Sequence, residues 1–255
     1  MPLPRAAREE IVLDATSRVA TPPMNSSAPE EQAVGHTLVI EASCALGSVA
    51  LLRGTSVVQR VDCAMGVSRD DTLFPAILEV LESANVAPRA LASIVCGSGP
   101  GSFTSLRIAA AIAKGLAHAG SVPLHAVSSL LLAAAAHDDP GEYVVHSDAL
   151  RAERYAMLVT IDDARCVRAD SDVARVSTDA LAVLAPSRHR LVVLGASASE
   201  HETPVVPDAA RLARVYEWAM RPPVKLELWE PVYGRLAEAQ VKWEASHQRA
   251  LPPQG

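Results

Sequence analysis

The chain has 255 residues, 49% hydrophobic but only 4% aromatic, with a net charge of −6. That length supports one large or two small domains with real cores, and an apolar half drawn mostly from Ala, Val and Leu excludes a wholly disordered protein. The acidic balance excludes a chain that holds nucleic acid alone, because such binding needs a concentrated basic face; it leaves room for a share in a complex. Cys44, Cys63, Cys96 and Cys166 form no CxxC pair and have no histidine at zinc spacing, so they read as small buried hydrophobes of a reduced protein. No apolar run reaches the roughly 18 residues that span a bilayer, and Glu9, Glu10 and Asp14 stand where a signal peptide needs an apolar core. The expectation is a cytoplasmic chain with no membrane contact.

Residues 1–36, rich in Pro, Ser and Glu, are expected to be a largely disordered extension; a short helix near 6–19 is the one regular element it could hold, and Met24 is an alternative start. Next, TLVIEAS (37–43), GSVALLR (47–53) and SVVQRVD (56–62) read as an antiparallel meander. Leu73, Phe74, Ile77, Leu78, Leu81 and Ala84 then recur at helical spacing, with Asp70 or Asp71 as the cap and Pro75 in the tolerant first turn. ASIVCG (92–97) is a buried strand, followed by a glycine-rich loop, a helix to about His118, the strand VPLHAV (122–127) and the Ala-rich helix SSLLLAAAAH (128–137). Downstream, EYVVHSD (142–148), RYAMLVTI (154–161) and RCVRAD (165–170) read as strands. A helix near 177–184, a strand LVVLG (191–195) and a helix over 207–220 complete the series. The shared order βββαβα predicts an α/β protein of two related lobes, 37–140 and a smaller 141–243, with a flexible tail at 244–255.

The stretch GSGPGSFTSLRIAAAIAKGLA (97–117) carries most of the chemical information. A glycine turn entering a helix can present N–H groups to a phosphate. A P-loop would need GxxxxGK[ST], yet no lysine follows Gly101 until Lys114; Ser102 stands where GxGxxG needs its third glycine, and Pro100 removes a donor. The helix is crowded with Ala and Gly, which allow another backbone to come close. One face must pack on the protein's own sheet; Arg107, Ala111 and Lys114 mark a second face. The glycines then serve to turn the chain sharply, with Ser102 or Thr104 as the helix cap.

These residues resemble the bacterial TsaB (YeaZ) family. The loop and helix match a pattern near GRGPGSFTGLRIG…AKGLA, through Gly97, Gly99–Thr104, Leu106–Ile108 and Ala113–Leu116. Ile40–Ser43, Ser48–Leu51, Val122–Leu130, Asp148–Arg151 with Tyr155, and Pro231, Tyr233 and Arg235 match further segments. The resemblance implies an ASKHA (actin-like) fold of two ribonuclease-H-like lobes and an accessory subunit without catalysis of its own. It also implies pairing with a catalytic subunit, TsaD, and an ATPase, TsaE, in the transfer of threonylcarbamoyl to adenosine 37 of tRNA, with self-pairing when TsaD is absent. Contact with tRNA is expected only through that complex. No cofactor is expected for this chain, with ATP or ADP placed, if anywhere, at the complex interface.

The catalytic paralogue's HxxxH metal pair is absent, because no two histidines here lie four apart. Actin-like ATPases hold metal–nucleotide with an acid at the end of the first strand. Glu41 occupies about that place where the family usually has Asp; the alternative is a buried carboxylate bonded to backbone. Ser102 lies in no GxSxG elbow. Further departures are Arg69, Ser98, Ser105 and the late Arg151. The expected partner interface comprises Leu73, Ile77, Leu81, Phe103, Arg107, Ala110, Ala111 and Lys114, some of which must face the core instead. The expected nucleotide-proximal residues are Glu41, Ser43, Gly99, Gly101, Ser102 and Arg151; no catalytic or metal residue is expected. The alternative reading is an autonomous actin-like ATPase or small-molecule kinase.

Overall fold

Strands β1 (His36–Glu41), β2 (Leu46–Arg53) and β3 (Ser56–Ala64) form the expected meander, with β1 paired antiparallel to β2 from His36–Arg53 to Glu41–Ser48. The computed structural model describes residues 35–65, 72–149, 152–184, 188–193, 202–215 and 221–233. The expectations for 1–34, for the tail, for Asp70 and Asp71 as caps, and for Arg69 and Arg151 lie outside them. Strands β4 (Leu91–Gly97) and β5 (Leu124–Val127) run parallel to β1, giving the order β3-β2-β1-β4-β5.

Period-two alternation decides what each face of this sheet meets. Leu38 and Ile40 point to one side with Val49, Ile94 and Cys96, and helices α1 (Leu73–Ser83) and α2 (Phe103–Gly120) cover that side. Val39, Ala50, Leu52 and Val95 point to the other, where the short helix α3 (Ser129–Ala134) is buried from end to end. The caps differ from expectation. Thr72 precedes α1, but its hydroxyl donates to Ala64 O. Ser102 precedes α2 without bonding an N–H; its hydroxyl accepts from Ser105 at 3.0 Å, and Thr104 lies inside the helix.

The second sheet is built from β6 (Gly141–Asp148), β7 (Glu153–Ile161), β8 (Val167–Ala169), β9 (Ala174–Ser177), β10 (His189–Val193) and β11 (Glu202–Val205). Its order is β11-β10-β6-β7-β8, with β9 also on β7, and α4 (Thr178–Leu184) lies between β9 and β10 in sequence. As in the first sheet, the earliest strand is central, flanked by antiparallel neighbours on one side and two parallel strands on the other. The chain therefore has the α/β fold expected from the sequence, with two mixed sheets that share this strand arrangement. One apolar core, centred on α3, joins the inner faces of both sheets.

Three expectations in the second half are corrected. The strand read at 165–170 is the shorter β8 (Val167–Ala169), and β9 and β11 were not foreseen. The helix read over 207–220 is a 3₁₀ turn at Ala209–Arg214, with 216–220 outside the described residues. Its backbone is claimed by other elements: Ala209 N–H donates to Ser48 Oγ at 2.9 Å, and the Asp208 carboxylate takes Ala210 N–H at 2.9 Å. Arg214 is fixed at the end of the turn by Arg165 O, Asp138 and His137 O. Cys63 and Cys96 are buried as expected, whereas Cys44 and Cys166 are only partly so. No helix among the described residues is long and apolar enough to cross a membrane.

Candidate functional site

The glycine loop leaves the end of β4 and lies against the end of β1. Ser98 N–H donates to Val127 O at 2.7 Å, Gly99 N–H to Ser129 Oγ at 3.0 Å, and Ser102 N–H to Ser43 O at 2.8 Å. These donors, which a phosphate would need, are spent inside the protein. The glycines serve close approach: a β-carbon on Gly101 would meet Ser43 O at 2.2 Å, and one on Gly97 would meet Glu41 Oε2 at 2.0 Å.

Glu41 is fully buried beneath this loop. Its Oε1 accepts Ser43 N–H at 2.7 Å and its Oε2 accepts the Ser129 hydroxyl at 2.8 Å. The Ser43 hydroxyl and Ala42 N–H further favour its charged form. Burial pushes the Glu41 carboxyl above its ordinary range, against the pull of these four groups. Burial, with Glu41 nearby, also raises the thiols, Cys44 to about 11 and Cys96 further still, so neither is a thiolate at neutral pH. Glu41, Ser43, Gly99, Gly101 and Ser102 are thus brought together as the sequence suggested. They form a packed, internally bonded cluster. Among the described residues, no group of three His, Cys, Asp or Glu side chains could hold a metal ion.

The outer faces of α1 and α2 revise the interface set. Leu73, Ile77, Leu81 and Ala110 are buried in the chain's own core, because the first-sheet side of each helix takes the larger apolar stripe. The exposed residues of α1 include Phe74 and Leu78, 41% and 40% accessible; those of α2 include Arg107, Ile108, Ala111 and Gly115. A β-carbon on Gly115 would touch nothing within 4 Å, so no intramolecular neighbour demands a glycine there.

Sequence reasoning missed how residues 221–233 return to the first lobe. Val224 N–H donates to Leu124 O and Val232 N–H to Ser98 O, each at 2.8 Å. Tyr233 packs on Phe103 with ring centroids 4.7 Å apart, and Arg107 lies over the same Phe103 ring at 5.5 Å. Lys114 bonds Glu230 at 3.1 Å and lies 5.8 Å from the Trp229 ring. Phe103 and Lys114, expected to meet a partner, are therefore engaged by the chain's own strap. The segment has no periodicity to read; only its Pro–x–Tyr–x–Arg ending hinted at a role.

Comparisons with known proteins agree with this geometry. Residues 69–200 match the family model described as TsaD, tRNA N6-adenosine threonylcarbamoyltransferase. The chain is 28% identical over 226 residues to the tRNA threonylcarbamoyladenosine biosynthesis protein TsaB of Bacillus subtilis, covering 83% of this chain and 99% of that one. It is 30% identical over 175 residues to an uncharacterised protein of Mycobacterium tuberculosis, covering 67% of this chain and 76% of the other. The solved structure of YeaZ from Pseudomonas aeruginosa superposes with a TM-score of 0.67 at 25% identity, covering 78% of this chain and 99% of that one. Over a match of this extent, with the glycine loop in place, the chain belongs to the TsaD-like family, in its TsaB/YeaZ branch.

Proposed function

We propose that this chain is a non-catalytic scaffold subunit of the machinery that places threonylcarbamoyl on adenosine 37 of tRNA. It docks the catalytic TsaD subunit on its α1–α2 face, TsaE joins the assembly, and tRNA is met only through the complex. A second copy of the chain takes the same face when TsaD is absent. The observation that carries the reading is the surface of these two helices. Phe74 and Leu78 are exposed on α1, and Ile108, Ala111 and Gly115 on α2; these are apolar, and the small residues of α2 let another helix approach closely. The similarity to B. subtilis TsaB supplies the pathway.

The test is co-expression with TsaD from the same genome, followed by pull-down and sizing. A stable complex that Ala111→Glu abolishes, while the variant chain stays folded, is the expected result. Normal binding by the variant would remove α2 from the interface. ATP hydrolysis by the lone chain, lost on Glu41→Ala, would instead support an autonomous ATPase.

A further inference from the structure

We propose that the Glu41 carboxyl group fills this chain's cleft site from within, so that no metal-bound phosphate is held there and truncating Glu41 uncovers a site for a small monocarboxylate. The actin-like fold class leads one to expect an acid at the end of the first strand to hold a metal–nucleotide. The residues present do not fit that task. A carboxylate offers about four lone-pair directions. Here Ser43 N–H takes one on Oε1 at 2.7 Å and the Ser129 hydroxyl one on Oε2 at 2.8 Å, and Ala42 N–H and the Ser43 hydroxyl further favour its charged form. Both oxygens are engaged and the group is fully buried, out of reach of a cation or its bound water. The side chain also fills the space beside β4, where a β-carbon on Gly97 would lie 2.0 Å from Oε2.

The donors are held by the scaffold and not by Glu41. Ala42 and Ser43 continue the central strand β1, with Ser43 O tied to Ser102 N–H at 2.8 Å. Ser129 opens the buried helix α3, and its Oγ also accepts Gly99 N–H at 3.0 Å. Removing the Glu41 carboxylate leaves these groups arranged around a void of its own size. Buried donors without an acceptor are costly, so a formate ion that enters the void restores what the side chain supplied.

The experiment is thermal unfolding of the full chain and its Glu41→Ala variant near pH 7, in sodium formate against sodium chloride at equal ionic strength. Formate is expected to stabilise the variant with half-saturation at about 10 mM, so that 0.1 M shifts its folding equilibrium about tenfold. The unaltered chain and Glu41→Gln, whose cleft stays filled, are expected not to respond. Adding Ser129→Ala to Glu41→Ala is expected to weaken the response. A Glu41→Ala variant indifferent to formate, or one that fails to fold even with formate present, would overturn the proposal. So would stabilisation of the unaltered chain by Mg-ATP that disappears in Glu41→Gln. None of these readouts involves TsaD, so the docking reading stands or falls separately.

Discussion

Gly97 and Glu41 share one volume: the space a β-carbon on Gly97 would need is already held by Glu41 Oε2, 2.0 Å away. Gly97→Ala therefore pushes the carboxylate off its donors or parts β4 from β1. The expected cost is about 1–3 kcal/mol, seen as a lower urea midpoint at unchanged slope. In the double variant with Glu41→Ala the methyl no longer meets the carboxylate, so the combined loss is expected to be smaller than the sum. Strictly additive losses would place the clash elsewhere.

Adjacent alanines on α2 should separate fold from docking. Ala110 is buried and Ala111 exposed. Ala110→Glu forces a charge into the core between α2 and the first sheet and is expected to unfold the chain or cost several kcal/mol. Ala111→Glu is expected to leave the melting curve within about 0.5 kcal/mol of the original while TsaD binding falls tenfold or more. Circular dichroism melts beside sizing of the co-expressed pair read both effects.

The His146–Glu202 pair makes stability fall on mild acidification. His146 is buried, with Nε2 3.0 Å from Glu202 Oε1. Burial lowers its pKa, aided by Arg154 and Arg190, although Glu202 opposes this. A histidine whose folded pKa is depressed contributes stability above its unfolded value of about 6.5 and loses it as pH falls toward the folded value. Urea unfolding is therefore expected to weaken from pH 7 to pH 5.5, and His146→Gln to flatten that slope. A slope unchanged in the variant would assign it to another group.

The strap carries its own acid-side signature. Hydrogen bonds from the Tyr233 phenol, at 2.6 Å, and from Lys114 hold Glu230 below the usual carboxylate range. A depressed carboxyl contributes stability above its unfolded pKa and loses it as pH falls through the folded one. Because Glu230 is largely exposed, the contribution is at most about 0.5 kcal/mol after solvent screening. Tyr233 is raised to about 12, by burial first and by Glu230 second. Glu230→Gln is expected to bring the phenol titration, followed by ultraviolet absorbance, back toward 10 without restoring it fully.

How much of this was legible in the sequence depended on which signal each element carried. β-branched runs between glycine turns gave both meanders, and the repeated order gave the paired lobes. β11 was hidden because Pro204 reads as a breaker; as an edge strand it tolerates the lost donor. Helix α1 offers two apolar stripes, Leu73–Ile77–Leu81 and Phe74–Leu78, and spacing alone does not say which the sheet receives. At the site, the grouping of Glu41, Ser43 and the loop glycines was readable from motif positions. The hydrogen bond that closes on Glu41 from Ser129 was not, because Ser129 comes from a helix 88 residues away.

The strap also fixes an order of events during synthesis. Helix α2 and its loop leave the ribosome well before residues 221–233, whose Val232 N–H closes on Ser98 O and whose Tyr233 covers Phe103. At translation speeds of roughly 5–20 residues per second, the edge of α2 stays bare for seconds while the second lobe is still being made. A partner arriving in that interval meets an uncovered Phe103 and Lys114, and the finished surface exists only once residues 221–233 have emerged.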